Sequence, residues 1–284
     1  MKEQINFGYL SDEFSSAENA RIVIIPVAYD GTSTWMKGAD KGPDAIIEAS
    51  ANMELYDIET DSEVYRQGIF TEETIGGEIT TREMVDAVHD VVQYYLEQER
   101  FTVVIGGEHS VSVGAIKALA ARYEKLTVLQ LDAHADLREE YNGSKYNHAC
   151  VMARAKEFCP IVQVGVRSMS ISEKESSDES RIFLAEDIHD NTDWIKKVIS
   201  RLSDDVYITI DLDALDPSIM PSTGTPEPGG LLWYDVLPLL KMVSEKRNVV
   251  GFDVVELCPD GSNRAPDFLA AKLIYKLLSY KFGG

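Results

Sequence analysis

The sequence predicts an α/β protein built on a mostly parallel sheet, and two observations carry that expectation. Short apolar, β-branched runs recur along the chain, and the stretches between them are long enough for a helix and carry helical apolar spacing. Parallel neighbours need crossover connections, usually helices, so this alternation selects a sheet covered on both faces.

The strand candidates are residues 21–27 (RIVIIPV), 101–105 (FTVVI), 126–131 (LTVLQL), 161–166 (IVQVGV), 206–211 (VYITID) and 248–254 (NVVGFDV). The first helix is expected over 43–55, where Pro43 suits the opening turn. Thr80 and Glu83 have capping-box spacing ahead of a long periodic stretch to Glu97. Residues 112–123, 193–202, 234–244 and 265–280 complete the helices, and the polar stretch 168–180 reads as an insertion loop. No internal repeat, low-complexity tract or Pro/Gly/Ser linker divides the 284 residues, so 1–284 is read as one domain.

Charge narrows the function classes. Lys+Arg 27 against Asp+Glu 48 gives 27 − 48 = −21, a field that repels nucleic-acid phosphates. No apolar run approaches the ~18 residues of a membrane span. The first residues are polar and acidic and lack the features of a secretory signal, so a cytoplasmic location is expected. Cys150, Cys159 and Cys258 form no CxxC pair, which argues against a disulfide framework or a zinc-thiolate site.

In open α/β sheets ligands bind outside the carboxyl ends of the strands, and three strand ends here carry an unusual polar load. The run 126–131 leads into Asp132-Ala133-His134-Ala135-Asp136, whose i, i+2, i+4 spacing would point three side chains to one side if the chain stays extended. The run 206–211 leads into Asp211-Leu212-Asp213, and 101–105 into Gly106-Gly107-Glu108-His109, where the glycines allow a sharp turn that presents an imidazole. With Glu108 set aside, four aspartates and two histidines converge. Like charges that close together respond by raising their pKa values or by capturing metal, and two divalent cations would neutralise four carboxylates. Oxygen-plus-imidazole donors without thiolate suit Mn2+. Two such ions can hold a bridging water and lower its pKa toward neutrality, which makes a hydrolase.

These segments resemble the ureohydrolases, the arginase and agmatinase family. Residues 105–118 (IGGEHSVSVGAIKA), 129–136 (LQLDAHAD) and 209–230 (TIDLDALDPSIMPSTGTPEPGG) are similar to its three signature segments in order and separation. Residues 29–47 and 251–259 (GFDVVELCP) extend the likeness to roughly 22–281. The resemblance implies a three-layer α/β/α sandwich and homo-oligomers, trimers or hexamers. It implies one Mn2+ on His109, Asp132, Asp136 and Asp211 and a second on Asp132, His134, Asp211 and Asp213, with Asp132 and Asp211 bridging. It also implies that Glu256 pairs with a substrate guanidinium and that His148 shuttles protons, a role in which Asp136 is the alternative.

Within the family, two features favour agmatine, cleaved to putrescine and urea. Residues 225–230 (TPEPGG) resemble the agmatinase version through Glu227-Pro228, and the loop 137–141 (LREEY) lacks the Asn- and Ser-rich character with which arginases bind the α-carboxylate. Glu139 or Glu140 at the mouth would attract an ammonium tail and repel a carboxylate. Trp35-Met36-Lys37 and the Ala149-Cys150 that follows His148 depart from the family pattern, so L-arginine, guanidinobutyrate and guanidinopropionate stay open as substrates. Cys150 reads as packing. Di-metal phosphoesterases also begin with Asp-x-His, but their Gly-Asp-x-x-Asp and Gly-Asn-His-Asp/Glu strings are absent. A non-catalytic binder of a polyamine precursor is the remaining rival. The net charge of −21 could also steer a dicationic substrate to the mouth.

Overall fold

The computed structural model describes residues 5–189, 191 and 193–283. Among them nine strands form one sheet in the order β2-β1-β4-β9-β8-β5-β6-β7, with β3 pairing β1, and every pairing is parallel. The strands are β1 (Ile22–Ala28), β2 (Ile69–Thr71), β3 (Ile75–Gly76), β4 (Phe101–Gly106), β5 (Leu126–Leu131), β6 (Ile161–Val166), β7 (Ile182–Leu184), β8 (Asp205–Asp211) and β9 (Asn248–Val255).

Strand alternation splits the core into two layers. Ile22, Ile24, Val103, Ile105, Ile208 and Phe252 face the helices Gly42–Ser50, Trp194–Arg201, Trp233–Lys246 and Ala265–Phe282. Val23, Ile25, Val104, Val128 and Tyr207 face Thr81–Glu97, Ser112–Arg122 and Val151–Ala155. The parallel sheet covered on both faces that the alternation predicts, and the three-layer sandwich that the resemblance implies, are therefore present. No helix among the described residues is long and apolar enough to cross a membrane.

The long elements fall where the sequence puts them, including the Thr80–Glu83 capping box. Three further strands, β2, β3 and β7, have three residues or fewer, too short for any periodicity to register in the sequence. The first helix stops at Ser50 rather than at residue 55. The segment 168–180, expected as a loop, contains the helix Ile171–Ser176, started by a second capping box in which the Glu173 backbone N–H donates to Ser170 Oγ and Glu173 accepts in return from the Ser170 N–H.

The order of the sheet positions the chemistry. The last two strands, β8 and β9, insert between β4 and β5, so four central neighbours (β4, β9, β8, β5) open their carboxyl ends side by side. That is the place where a doubly wound sheet binds ligands.

Candidate metal centre

The turn after β4 delivers the first ligand. Gly107 lies so close to β1 that an added Cβ would meet the Tyr29 carbonyl oxygen at 2.0 Å, and its N–H donates to the Val27 carbonyl, so only glycine lets the chain turn here. His109 follows, fully buried. Its Nδ1 lies 3.1 Å from Asp132 Oδ2, 3.1 Å from Asp136 Oδ2 and 3.5 Å from Asp211 Oδ2. His134 Nδ1 lies 2.9 Å from Asp213 Oδ2 and 3.6 Å from Asp132 Oδ1. Two donor groups result, His109 with Asp132 and Asp211, and His134 with Asp132 and Asp213, each compact enough to close on one ion.

The row after β5 does not stay extended to its end. His134 still bridges Ser168 in a parallel sense, but Asp136 adopts φ +52°, in the left-handed region. That turn brings Asp136 back beside Asp132, so both reach His109 while His134 serves Asp213. Glu256, the residue after β9, is likewise left-handed at φ +67°, and its Oε1 accepts the His109 backbone N–H at 2.7 Å. Two unfavourable backbone conformations at one site are the kind of strain that surrounding structure sustains for a function.

Electrostatics favour a cation. Burial alone would lower His109, yet contact with Asp132, Asp136 and Asp211 raises it well above the ordinary imidazole value. Burial is likewise overcome at His134, which Asp132 and Asp213 carry up to about 12. Asp136 is pushed up to about 6 by burial and then by the Asp132 charge. Asp211 and Glu256 rise well above the usual carboxylate range through burial first, then through neighbouring carboxylates. His109 Nδ1 is buried without a hydrogen-bond partner, and its Nε2 sits 2.9 Å from Thr209 Oγ1, whose O–H donates to Asp253 Oδ1 at 2.6 Å. Nε2–H therefore donates to Thr209, which leaves Nδ1 facing a ring of carboxylate oxygens. That donor set fits divalent cations and holds no thiolate.

Opposite lies a cavity of about 290 Å3, lined by His109, His134, Asp136, His148, Asp211, Asp213 and Glu256, with Trp35, Met36, Arg138, Tyr141 and Glu173 also on its wall. His148 Nδ1 is 3.0 Å from Thr32 Oγ1, which also accepts the His148 backbone N–H and donates to Glu108 Oε2 at 2.6 Å. Burial, then the charges of His109 and His134, bring His148 down to about 4, and burial pushes Glu108 up to about 7. Neither Glu108 nor Thr32 carries a local signal in the sequence, because Thr32 lies 76 residues from Glu108 and 116 from His148.

Of the expected mouth residues, Glu227 does not line the cavity itself but stands just outside it, with Oε1 4.0 Å from Nε2 of His134, which does. Glu139 is a correction. Its carboxylate pairs with Arg154 at 2.8 Å, is largely solvated, and does not line the cavity. The loop instead turns Arg138 inward, over the Tyr141 ring and 3.8 Å from Glu173. Cys150 is buried and burial pushes its thiol up to about 11, so it packs rather than reacts.

A parallel sheet with paired Asp/His clusters at its carboxyl edge, facing a pocket that ends on a buried glutamate, defines a metal-dependent hydrolase of the α/β class. The chain belongs to the arginase family, whose model matches residues 20–279. The N(1)-aminopropylagmatine ureohydrolase of a Synechocystis strain is 36% identical over 281 residues, covering 95% of this chain and 92% of its own. The agmatinase of Pyrococcus horikoshii is 30% identical, with 92% of each chain covered. Among solved structures, the agmatine ureohydrolase of Thermoplasma volcanium superposes with a TM-score of 0.89 at 32% identity, over 100% of this chain and 96% of that one. The protein is an agmatinase-like ureohydrolase.

Proposed function

We propose that this enzyme hydrolyses the guanidino group of agmatine to putrescine and urea with two Mn2+ ions as cofactors. The observation that carries the reading is the pair of Asp/His clusters, joined through the buried Asp132, whose His109, His134, Asp211 and Asp213 line the same cavity as Glu256. His109, Asp132, Asp136 and Asp211 would hold one ion, and Asp132, His134, Asp211 and Asp213 the other. When bound, such a pair supplies a water whose pKa is lowered to about 7 and thus a strong nucleophile at neutral pH.

The remaining chemistry falls to the chain's own groups. A guanidinium is cationic at any biological pH and its carbon is a poor electrophile, so it must be held in a fixed orientation. Glu256, pinned by the His109 N–H through one oxygen, offers the other to that cation, whose charge beside it favours the ionised carboxylate that burial otherwise disfavours. His148, neutral at pH 7 with Nδ1 tied to Thr32, can take up on its other ring nitrogen the proton that the attacking water gives up and hand it to the leaving amine, with Asp136 as the alternative carrier. Glu227 at the rim would favour an ammonium tail over a carboxylate. A cytoplasmic homo-oligomer, trimer or hexamer, belongs to the same proposal and rests on the family resemblance.

A second reading takes N1-aminopropylagmatine as substrate. It is favoured by three relatives of that name at 36% identity, with a fourth at 31%, against 30–31% for those named agmatinase. Urea release from agmatine, N1-aminopropylagmatine and L-arginine, by protein stripped with chelator and reloaded with Mn2+, tests both. Mn2+-dependent urea from agmatine is the expected result. A strong preference for the aminopropyl compound selects the second reading, and silence with all three sinks both.

A further inference from the structure

Two glutamines lie side by side in the middle of the sheet. Gln130 on β5 and Gln163 on β6 are register partners, and both are buried. Buried amides in an otherwise apolar sheet are costly unless their polar atoms are matched, so where their hydrogen bonds go is informative.

Every bond found for the pair runs toward the metal-ligand segment. Gln163 Nε2 donates to the Ala135 carbonyl oxygen at 2.7 Å and to Gln130 Oε1 at 2.5 Å. Gln130 Nε2 then donates to Asp132 Oδ2 at 2.6 Å. The orientation of both amides follows from the network. The Ala135 carbonyl can only accept, which puts the Gln163 nitrogen on that side. Gln130 must present its oxygen to that nitrogen and its NH2 to Asp132.

Asp132 is the residue common to both donor clusters. Its Oδ1 accepts the His134 backbone N–H at 2.6 Å, and its Oδ2 accepts from Gln130. Each oxygen has one protein donor, which leaves Oδ2 free to face His109 Nδ1 at 3.1 Å and Oδ1 to face His134 Nδ1 at 3.6 Å. Without the Gln130 donor the carboxylate could rotate about χ2 and lose one of the two directions. Gln163 acts one step back, orienting Gln130 and holding the Ala135 carbonyl between His134 and Asp136.

We propose that Gln163 and Gln130 form an amide relay that positions Asp132 to bridge two divalent ions. This rests on the dinuclear reading above. Donors behind a ligand are worth about 10- to 100-fold in metal affinity. Gln130→Met preserves side-chain length but removes the donor, Gln130→Asn keeps an amide one methylene too short to reach, and Gln163→Met leaves Gln130 in place but unoriented. Each variant and the wild type are loaded with Mn2+, and the bound metal is titrated against a competing chelator, with thermal unfolding followed in parallel. The expected result is two ions on the wild type and a drop of about tenfold or more in affinity in both Gln130 variants, with a smaller drop in Gln163→Met. Affinities within about twofold of wild type in any folded variant at Gln130 would overturn the relay, whatever happens to the melting temperature, because a packing role moves only the latter. If Gln130 variants do not fold, Gln163→Met decides by the same criterion. A wild type that retains fewer than two ions refutes the dinuclear reading itself, and the relay with it.

Discussion

Glu108 and His148 approach to 3.9 Å and share one hydroxyl, that of Thr32, which donates to the carboxylate and accepts the His148 backbone N–H. The loop carrying Thr32 comes from the start of the chain, Glu108 from the turn after β4, and His148 from the segment 41 residues further along than Gly107, so three distant pieces fix one imidazole. Thr32→Val removes the hydroxyl and keeps the shape. If His148 moves a proton to the leaving amine, the variant should lose about tenfold or more in kcat with KM little changed, because general acid catalysis contributes about 10²–10⁴ only when the group is aligned. Steady-state kinetics with the reloaded enzyme decide; a loss confined to KM would assign Thr32 to substrate binding instead.

Glu256→Gln separates charge from geometry. A glutamine oxygen can still accept the His109 N–H at the place where Glu256 Oε1 does, so the backbone there is retained. What disappears is the negative charge facing the guanidinium. Breaking one partner of a buried charged hydrogen bond costs about 2–5 kcal/mol, which is roughly 30- to several-thousand-fold in kcat/KM. Metal content, measured on the same sample, should stay at the wild-type level. An unchanged kcat/KM would remove Glu256 from substrate binding.

The candidate ligands were legible in the sequence because each belongs to a local pattern. Asp132, His134 and Asp136 alternate after one strand, Asp211 and Asp213 after another, and His109 follows a Gly-Gly turn. The groups that hold them were not, since Thr209 and Asp253 reach His109 from β8 and β9, and Gln163 reaches Asp132 only through Gln130. Pairing across a sheet depends on strand order, which periodicity alone does not reveal. The loop 137–141 failed for a related reason. Spacing does not set side-chain direction outside regular structure, and there Arg138 faces inward while Glu139 finds Arg154.

That difference is measurable. Glu139→Ala should leave kcat/KM for a cationic substrate within about twofold, since Glu139 is solvated and outside the cavity and Arg154 keeps Glu157 as a partner. Glu227→Gln, at the rim beside His134, should raise KM for agmatine several-fold. With a net charge of −21 the wild-type kcat/KM should also fall as ionic strength rises toward about 0.2 M, where screening shortens to under ~10 Å. A flat salt response would dismiss steering and leave only the local effect of Glu227.

A buried ion-pair cluster away from the metal centre makes stability depend on pH. Lys276, buried on the helix Ala265–Phe282, donates to Asp57 Oδ1 at 3.1 Å and Glu59 Oε2 at 2.6 Å, and Tyr280 donates to the same Glu59 oxygen at 2.6 Å. Lys276 and Tyr280 hold Glu59 down to about 2, and Asp57 lies below its ordinary value because the Thr60 backbone N–H and Lys276 outweigh its burial. Both folded-state pKa values are depressed, so the unfolded chain binds protons that the folded chain still refuses. The stabilisation is complete above the unfolded value of about 4.5 and is lost as pH falls toward about 2. Lys276→Met removes the partner and leaves Asp57 buried as an unpaired charge, a penalty that vanishes once Asp57 is protonated. The melting temperature of the variant should therefore sit well below that of the wild type near pH 7, and the two curves should converge as the pH is lowered through that window. A gap that stays constant down to acid pH would mean that Lys276 stabilises through the packing of its alkyl chain, and that its ion pairs contribute nothing.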